Sequence, residues 1–181
     1  MTKPLPVLPE AYRLIELESV DGTNAEAKRM AASGADLTRE SIVVWAKTQT
    51  AGRGRRGREW ISPLGNLYCS LLFDPKCGVG EAGQLGLVAS LALQRVISGH
   101  ADHVQCKWPN DVLIEGRKVS GLLMETEASA AGTLAWLVLG VGVNIAHHPE
   151  DTPFPATSLY AEGTEGITVA EMLEGFVDEM D

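Results

Sequence analysis

The stretch Gln49-Thr50-Ala51-Gly52-Arg53-Gly54-Arg55-Arg56-Gly57-Arg58-Glu59-Trp60 decides which α/β architecture the chain can adopt. Gly52 to Gly57 spells G-x-G-x-x-G, the spacing of a dinucleotide-binding turn. Such a turn must run from a strand straight into a helix whose N-terminus receives the pyrophosphate. Here the chain continues as Arg58-Glu59-Trp60-Ile61-Ser62-Pro63, with no apolar period and no helix start. A doubly wound dinucleotide fold is therefore excluded, and no G-x-x-x-x-G-K-[ST] spacing is present to make a P-loop. What remains is a loop carrying Arg53, Arg55, Arg56 and Arg58 among glycines. Guanidinium forks suit carboxylate and phosphate, and glycine lets backbone approach a ligand closely. On composition alone, an anion clamp that orders with its ligand and a solvated basic turn are equally open.

Working outward, Tyr12 to Val20 reads as a first strand. It is followed by an alanine-rich helix from Ala25 to Ala32, capped by Thr23 or Asn24 and stopped by Gly34. Ile42–Ala46 and Asn66–Phe73 read as buried strands, and Glu81 to Ile97 has apolar residues at helical spacing. Val104 to Trp108 is a strand stopped by Pro109. Asp111–Ile114 and Val119–Glu125 flank a hairpin turn, Leu134–Val143 is a further strand, and Val169–Met180 is an amphipathic helix. Neighbouring strands on short turns with helices bunched between them predict an α+β fold: a mixed, largely antiparallel sheet with helices on one face. Residues 1–11, rich in proline, read as a loose leader, and residues 12–181 as one domain. The chain stops inside its last helical pattern, which reads as a truncated domain.

Composition narrows the function. The chain has 181 residues with 45% hydrophobic and 22% charged content, as in an ordinary globular domain. Its net charge of −9 argues against general nucleic-acid binding. Three cysteines at spacings that fit no zinc pattern read as reduced thiols in a cytoplasmic protein. No apolar run reaches the ~20 residues of a membrane span.

Lys107-Trp108-Pro109-Asn110-Asp111 lies between two strands, which suggests a partly shielded Lys107. Such an ammonium either binds an anion or closes a structural ion pair. Asn110 and Asp111 also read simply as turn formers. Glycines inside the strand segments Gly121-Leu122-Leu123-Met124 and Gly140-Val141-Gly142-Val143-Asn144 mark close approach, either of a ligand or of packed neighbours. His147-His148 on a loop reads as structural, with no metal assigned.

Together these segments resemble the biotin–protein ligase family. The resemblance rests on Thr23-Asn24, the Gln49–Arg58 loop, Lys107–Asp111, Lys118-Val119-Ser120-Gly121-Leu122-Leu123 and Gly140–Ile145, in the family's order and at similar spacing. It implies a sheet related to class II aminoacyl-tRNA synthetase cores. It also implies a ligase with two half-reactions: biotin and Mg-ATP give biotinyl-5′-AMP and pyrophosphate, then a lysine of a biotin carboxyl carrier protein attacks the mixed anhydride. Biotin, ATP and Mg2+ are the small molecules it calls for.

By the same resemblance Lys107 and Arg55 are catalytic, and Lys107 touches both the biotin carboxylate and the α-phosphate. Thr23, Asn24, Gln49, Gly52, Arg53, Gly121, Leu122 and Leu123 bind biotin. Arg53, Arg55, Arg58, Trp60, Asn110 and Asn144 meet the ATP or adenylate, with Trp60 against adenine. Three departures stand out: Gly22 replaces a serine common in the family, too few residues precede the first strand for a DNA-binding domain, and the family's small C-terminal β-barrel does not follow. A homodimer is left open. Lipoate–protein ligase, which shares the fold and an acyl-adenylate step, is the nearest rival, and a non-catalytic biotin-binding domain is the second.

Overall fold

The computed structural model describes residues 5–129 and 133–181. One seven-stranded sheet, ordered β1-β2-β3-β7-β6-β5-β4, organises the chain. Its strands are β1 (Tyr12–Val20), β2 (Ser41–Gln49), β3 (Leu67–Phe73), β4 (Val104–Lys107), β5 (Asp111–Ile114), β6 (Arg117–Ala128) and β7 (Leu134–Val143). The helices are α1 (Thr23–Ala32), α2 (Val79–Ser98) and α3 (Val169–Met180). β1 and β2 pair in parallel across the α1 crossover, and every other neighbouring pair is antiparallel. The mixed, largely antiparallel sheet is thus the one the sequence predicts.

The placement of helices differs from the prediction. Along β2 the side chains alternate: Val43 and Trp45 join the core under α2 and α3, with Ala89, Leu93, Leu173 and Phe176. Ile42 and Val44 point the other way and pack with Leu72, Val138 and Ala27 of α1. Helices therefore cover both faces, α2 and α3 on one and α1 on the other. The physical reason is the parallel β1–α1–β2 unit, whose right-handed crossover carries its helix to a fixed side of the sheet.

The sequence reading of α1's start also needs correction. The helix begins at Thr23, its N-cap is Gly22 in extended conformation, and no side chain caps it. Thr23 and Asn24 lie inside the first turn and turn their side chains to the sheet. β2 and β6 run past the predicted ends because pairing with β1, and with β5 and β7, holds their polar termini. The β5–β6 turn is only Glu115-Gly116, both at positive φ (49° and 76°), as a two-residue hairpin requires. Of the leader, residues 1–4 lie outside the described residues. The rest is not loose: Val7 N–H donates to Glu174 at 2.7 Å and Leu8 packs on the core. After β7 the chain is pinned by Asn66, whose Oδ1 accepts from the N–H groups of Ile145, Ala146 and His147. It then returns along β6, with Lys118 N–H donating to Pro155 O and Thr157 N–H to Lys118 O.

Candidate functional site

The basic loop leaves β2 at Gln49 and is tied down at once, because Thr50 and Ala51 N–H donate to the carbonyls of Val20 and Asp21. Its two arms then zip together: Trp60 N–H donates to Gly52 O at 2.9 Å and Gly54 N–H to Arg58 O at 2.7 Å. The tip is a single 3-10 turn, Arg55–Gly57, with Arg56 in the left-handed region. Gly52 is required by packing, since a Cβ there would lie 2.5 Å from Trp60 O and 2.6 Å from Ser62 Oγ. Arg53, Arg55, Arg56 and Arg58 are all exposed. Among the described residues none of the four forms an ion pair with a carboxylate. Arg55 instead donates to Asn110 Oδ1 at 3.0 Å, drawing the loop towards the turn after β4. Four exposed guanidinium groups outside ion pairs on an acidic protein favour the anion clamp over the solvated turn.

The loop overhangs a cavity of about 1080 Å³. Every residue that the resemblance assigns, except Gly52, lines it. Its floor is a hydrogen-bond network. Thr23 N–H donates to Gln49 Oε1 at 2.8 Å, and Gln49 Nε2 donates to Ser62 Oγ at 2.9 Å. Asn24 Nδ2 donates to Leu123 O at 3.1 Å and to Glu125 at 2.9 Å, so both of its N–H groups are already used within the protein. Asn24 is built onto Gly140, where a Cβ would fall 2.1 Å from Asn24 Oδ1. Leu122 has its side chain in the core and its backbone paired with Asn110 in both directions. Burial would raise the Glu125 carboxyl, but hydrogen bonds from Lys28 and Asn24 outweigh it and hold the group below its ordinary value.

Two lysines frame the cavity differently. The shielding expected for Lys107 is not found: β4 is an edge strand, Lys107 is exposed, and its Nζ sits at the rim 4.2 Å from the Phe154 ring centre. Lys118 is the one inside. Its side chain is 27% exposed, ion-paired with Asp111 at 2.6 Å, and its Nζ lies 5.3 Å from the Trp60 ring centre. Trp60 in turn covers the glycine slot, since a Cβ on Gly142 would meet its indole at 2.6 Å. The Trp60 Nε1 donor is buried without a hydrogen-bond partner among the described residues. Asn144 is a buried pin with its amide donating to Thr157 O at 3.0 Å. His148 Nδ1 lies 3.2 Å from Ser158 Oγ, a loop contact.

Sequence reasoning missed Lys118, Ser70, Glu125 and the 149–156 return segment. Lys118 follows a tight turn, where a lysine reads as solvated charge. Ser70 did carry a signal, being a small hydroxyl residue in the middle of a buried, mainly apolar strand.

Fold and site define a mixed-sheet domain whose cavity carries amide and hydroxyl groups at one end and cations at the other. The model of the biotin/lipoate A/B protein ligase family matches residues 29–144. The biotin–[acetyl-CoA-carboxylase] ligase of Paracoccus denitrificans is 40% identical over 166 residues, covering 87% of this chain and 67% of that protein. The bifunctional ligase/repressor BirA of Bacillus subtilis is 34% identical over 167 residues, covering 89% of this chain and 50% of its own length. Among solved structures, the Leishmania major biotin protein ligase in complex with biotinyl-5-AMP superposes with a TM-score of 0.79 at 28% identity, over 95% of this chain and 74% of that one. The Aquifex aeolicus enzyme in complex with biotin and ATP gives 0.74 at 32% identity, over 93% and 68%. The chain belongs to the biotin/lipoate A/B protein ligase family.

Proposed function

We propose that the chain is the catalytic domain of a biotin–protein ligase, residues 12–181 forming its cavity-bearing unit. It activates biotin with Mg-ATP and passes it to a lysine of a biotin carrier protein. One observation carries this: a single cavity joins an amide-and-hydroxyl floor, an apolar glycine-edged slot and a rim of unpaired cations. That sequence of surfaces suits a ureido ring, an aliphatic tail and a carboxylate meeting a triphosphate. Relatives whose names specify biotin support the choice of acid.

In the first half-reaction a carboxylate oxygen attacks the α-phosphorus and pyrophosphate leaves. Both reactants are anions, so the protein's task is to hold them in line and offset their charge. Lys118, inside the cavity and less screened than Lys107, takes the place between carboxylate and α-phosphate. Its present partner Asp111 holds the ammonium aimed across the slot. Arg53, Arg55 and Arg58 face the phosphates, and Lys107 and Phe154 form the outer rim. Thr23 and Gln49 read the ureido ring, while Asn24, Leu122 and Leu123 shape the wall behind it. Trp60 leaves the glycine slot to lie against the nucleotide. Mg2+ arrives with the triphosphate; among the described residues no group of three His, Cys, Asp or Glu side chains is gathered to hold a metal of its own. In the second half-reaction the carrier's amine attacks the acyl carbon, AMP leaves and a proton is released. The loop over the anhydride keeps water from taking the amine's place.

Pyrophosphate release with Mg-ATP, measured with biotin and in parallel with lipoate and without acceptor, tests this. Release with biotin alone is expected. Release with lipoate and not biotin would transfer the chain to the lipoate branch of the family.

A further inference from the structure

The hydrogen-bond network on the cavity floor has a direction, and a buried hydroxyl fixes it. Ser70 is fully buried in β3, with Oγ 2.8 Å from Thr23 Oγ1 and 2.6 Å from Asn24 Oδ1. A serine hydroxyl has one proton to donate. An amide oxygen has none, so the Ser70 proton goes to Asn24. The Asn24 amide cannot be turned round, because Leu123 O and the Glu125 carboxylate, which face its Nδ2, are acceptors only. Lys28, 2.5 Å from Glu125, keeps that carboxylate ionised. The proton between the two hydroxyls is then Thr23's own, donated to Ser70. Gln49 Oε1, at 3.3 Å, is the more distant choice for it and already accepts from Thr23 N–H at 2.8 Å. Thr23 Oγ1 is left with lone pairs only.

We propose that Ser70 is a positioning residue for ligand recognition: it locks Asn24, draws the Thr23 proton inward, and so makes Thr23 Oγ1 an acceptor that reads a ligand N–H. This rests on the biotin assignment above, in which the N–H belongs to the ureido ring. A dithiolane ring has no N–H to offer, so the same device sorts biotin from lipoate. Glu125 and Lys28 serve Ser70 from a distance by fixing the far end of the chain of donors.

The test is a double-mutant cycle on the full chain, with biotin affinity measured by calorimetry for wild type, Ser70→Ala, Thr23→Val and the double variant. The Michaelis constant for ATP and the melting temperature serve as controls. Ser70→Ala is expected to weaken biotin about 10- to 100-fold by loosening one buried polar partner. In the Thr23→Val background the same change should cost less than about threefold, because its route is gone. The Michaelis constant for ATP should stay put in every variant that folds. Ser70→Cys, similar in shape with a weaker donor, should fall between, and it carries the cycle if Ser70→Ala does not fold. Losses that multiply in the double variant, or biotin and ATP weakening together, would reduce Ser70 to a structural filler and overturn the inference. Biotin binding to wild type with no change in either Ser70 variant also overturns it while leaving the proposed function standing. No biotin binding by wild type removes both.

Discussion

Lys118 and Lys107 lie in different electrostatic surroundings, and that difference can be measured. A donor preorganised where charge develops is worth far more in a partly closed cavity than at a wet rim. Lys118→Ala should cut biotin-dependent pyrophosphate release about 10²–10³-fold, whereas Lys107→Ala should cost less than about tenfold. Single-turnover assays at saturating biotin and ATP decide it, and the reverse ranking would return the catalytic role to Lys107. The glycines are equally specific. Gly140→Ala drives a methyl onto Asn24 Oδ1, and hydrogen bonds with Leu123 O, Glu125 and Ser70 keep the Asn24 side chain from yielding. We expect a loss of about 1–3 kcal/mol in stability from the overpacking, together with weakened biotin binding. Urea melts and calorimetry on one sample check both. The sequence placed ligand or packing at this glycine on equal terms; a side chain from the first turn of α1 is what arrives. Nothing in a linear pattern could distinguish Asn24 on Gly140 from a ligand on Gly140, because the contact joins residues far apart in sequence.

At the level of elements, what could be read followed the strength of the local pattern. β1, β7 and α3 run between the residues that alternation, a continuous apolar run and helical period respectively mark, since half-buried strands, buried strands and amphipathic helices each write such a pattern into the sequence. α1 did not reveal its side of the sheet. Its buried residues are Thr23 and Ala27, and an alanine-rich helix has no apolar stripe to read. Its cap was misplaced for a related reason: Thr23 and Asn24 are good cap formers whose side chains are already engaged by Ser70 and Leu123. Gly22 stands at the true cap position in an extended conformation that any residue adopts. A Cβ there would make only ordinary contacts, 3.8 Å from Ala51 O and 3.9 Å from Gln49 Oε1. Gly22→Ser should therefore be accepted, changing stability by only a few tenths of a kcal/mol, the usual gap between glycine and serine caps. Its hydroxyl would lie beside the ureido readers, and we expect biotin to bind about 3- to 10-fold more tightly, as one added hydrogen bond allows. Titration calorimetry against wild type measures it. Unchanged affinity would mean that the serine common in the family acts on the helix alone.

For the whole molecule, pH reports on both the surface network and the core. Asp21 is pulled down to about 2 from 3.8, chiefly by its hydrogen bond to Arg29, and Glu125 is held below 4.5 despite its burial. Folded values below unfolded ones give stability that is complete above the unfolded values and disappears as pH falls through the folded ones. The acid limb of a stability curve should therefore fall between about pH 4.5 and 2. Asp21 is half exposed, so its share should shrink in salt, while that of the partly buried Glu125 should persist. On the alkaline side burial pushes the Cys69 thiol up to about 12 from 9.0. A raised folded value gives stability that is complete below pH 9.0 and lost as pH climbs towards 12. Melting temperature against pH in low and high salt should show a plateau bounded by these two limbs. Glu125→Gln should flatten the acid limb that survives salt, and Cys69→Ala should lessen the alkaline one, to which Tyr68 and Tyr12, also raised by burial, contribute the rest. The acid-limb test also reaches the site, because Glu125 anchors Asn24: in wild type, biotin affinity should fall over the same acid range in which that salt-resistant stability is lost. An acid limb untouched by Glu125→Gln would place the titrating carboxylates elsewhere and detach the cavity floor from the pH response of the fold.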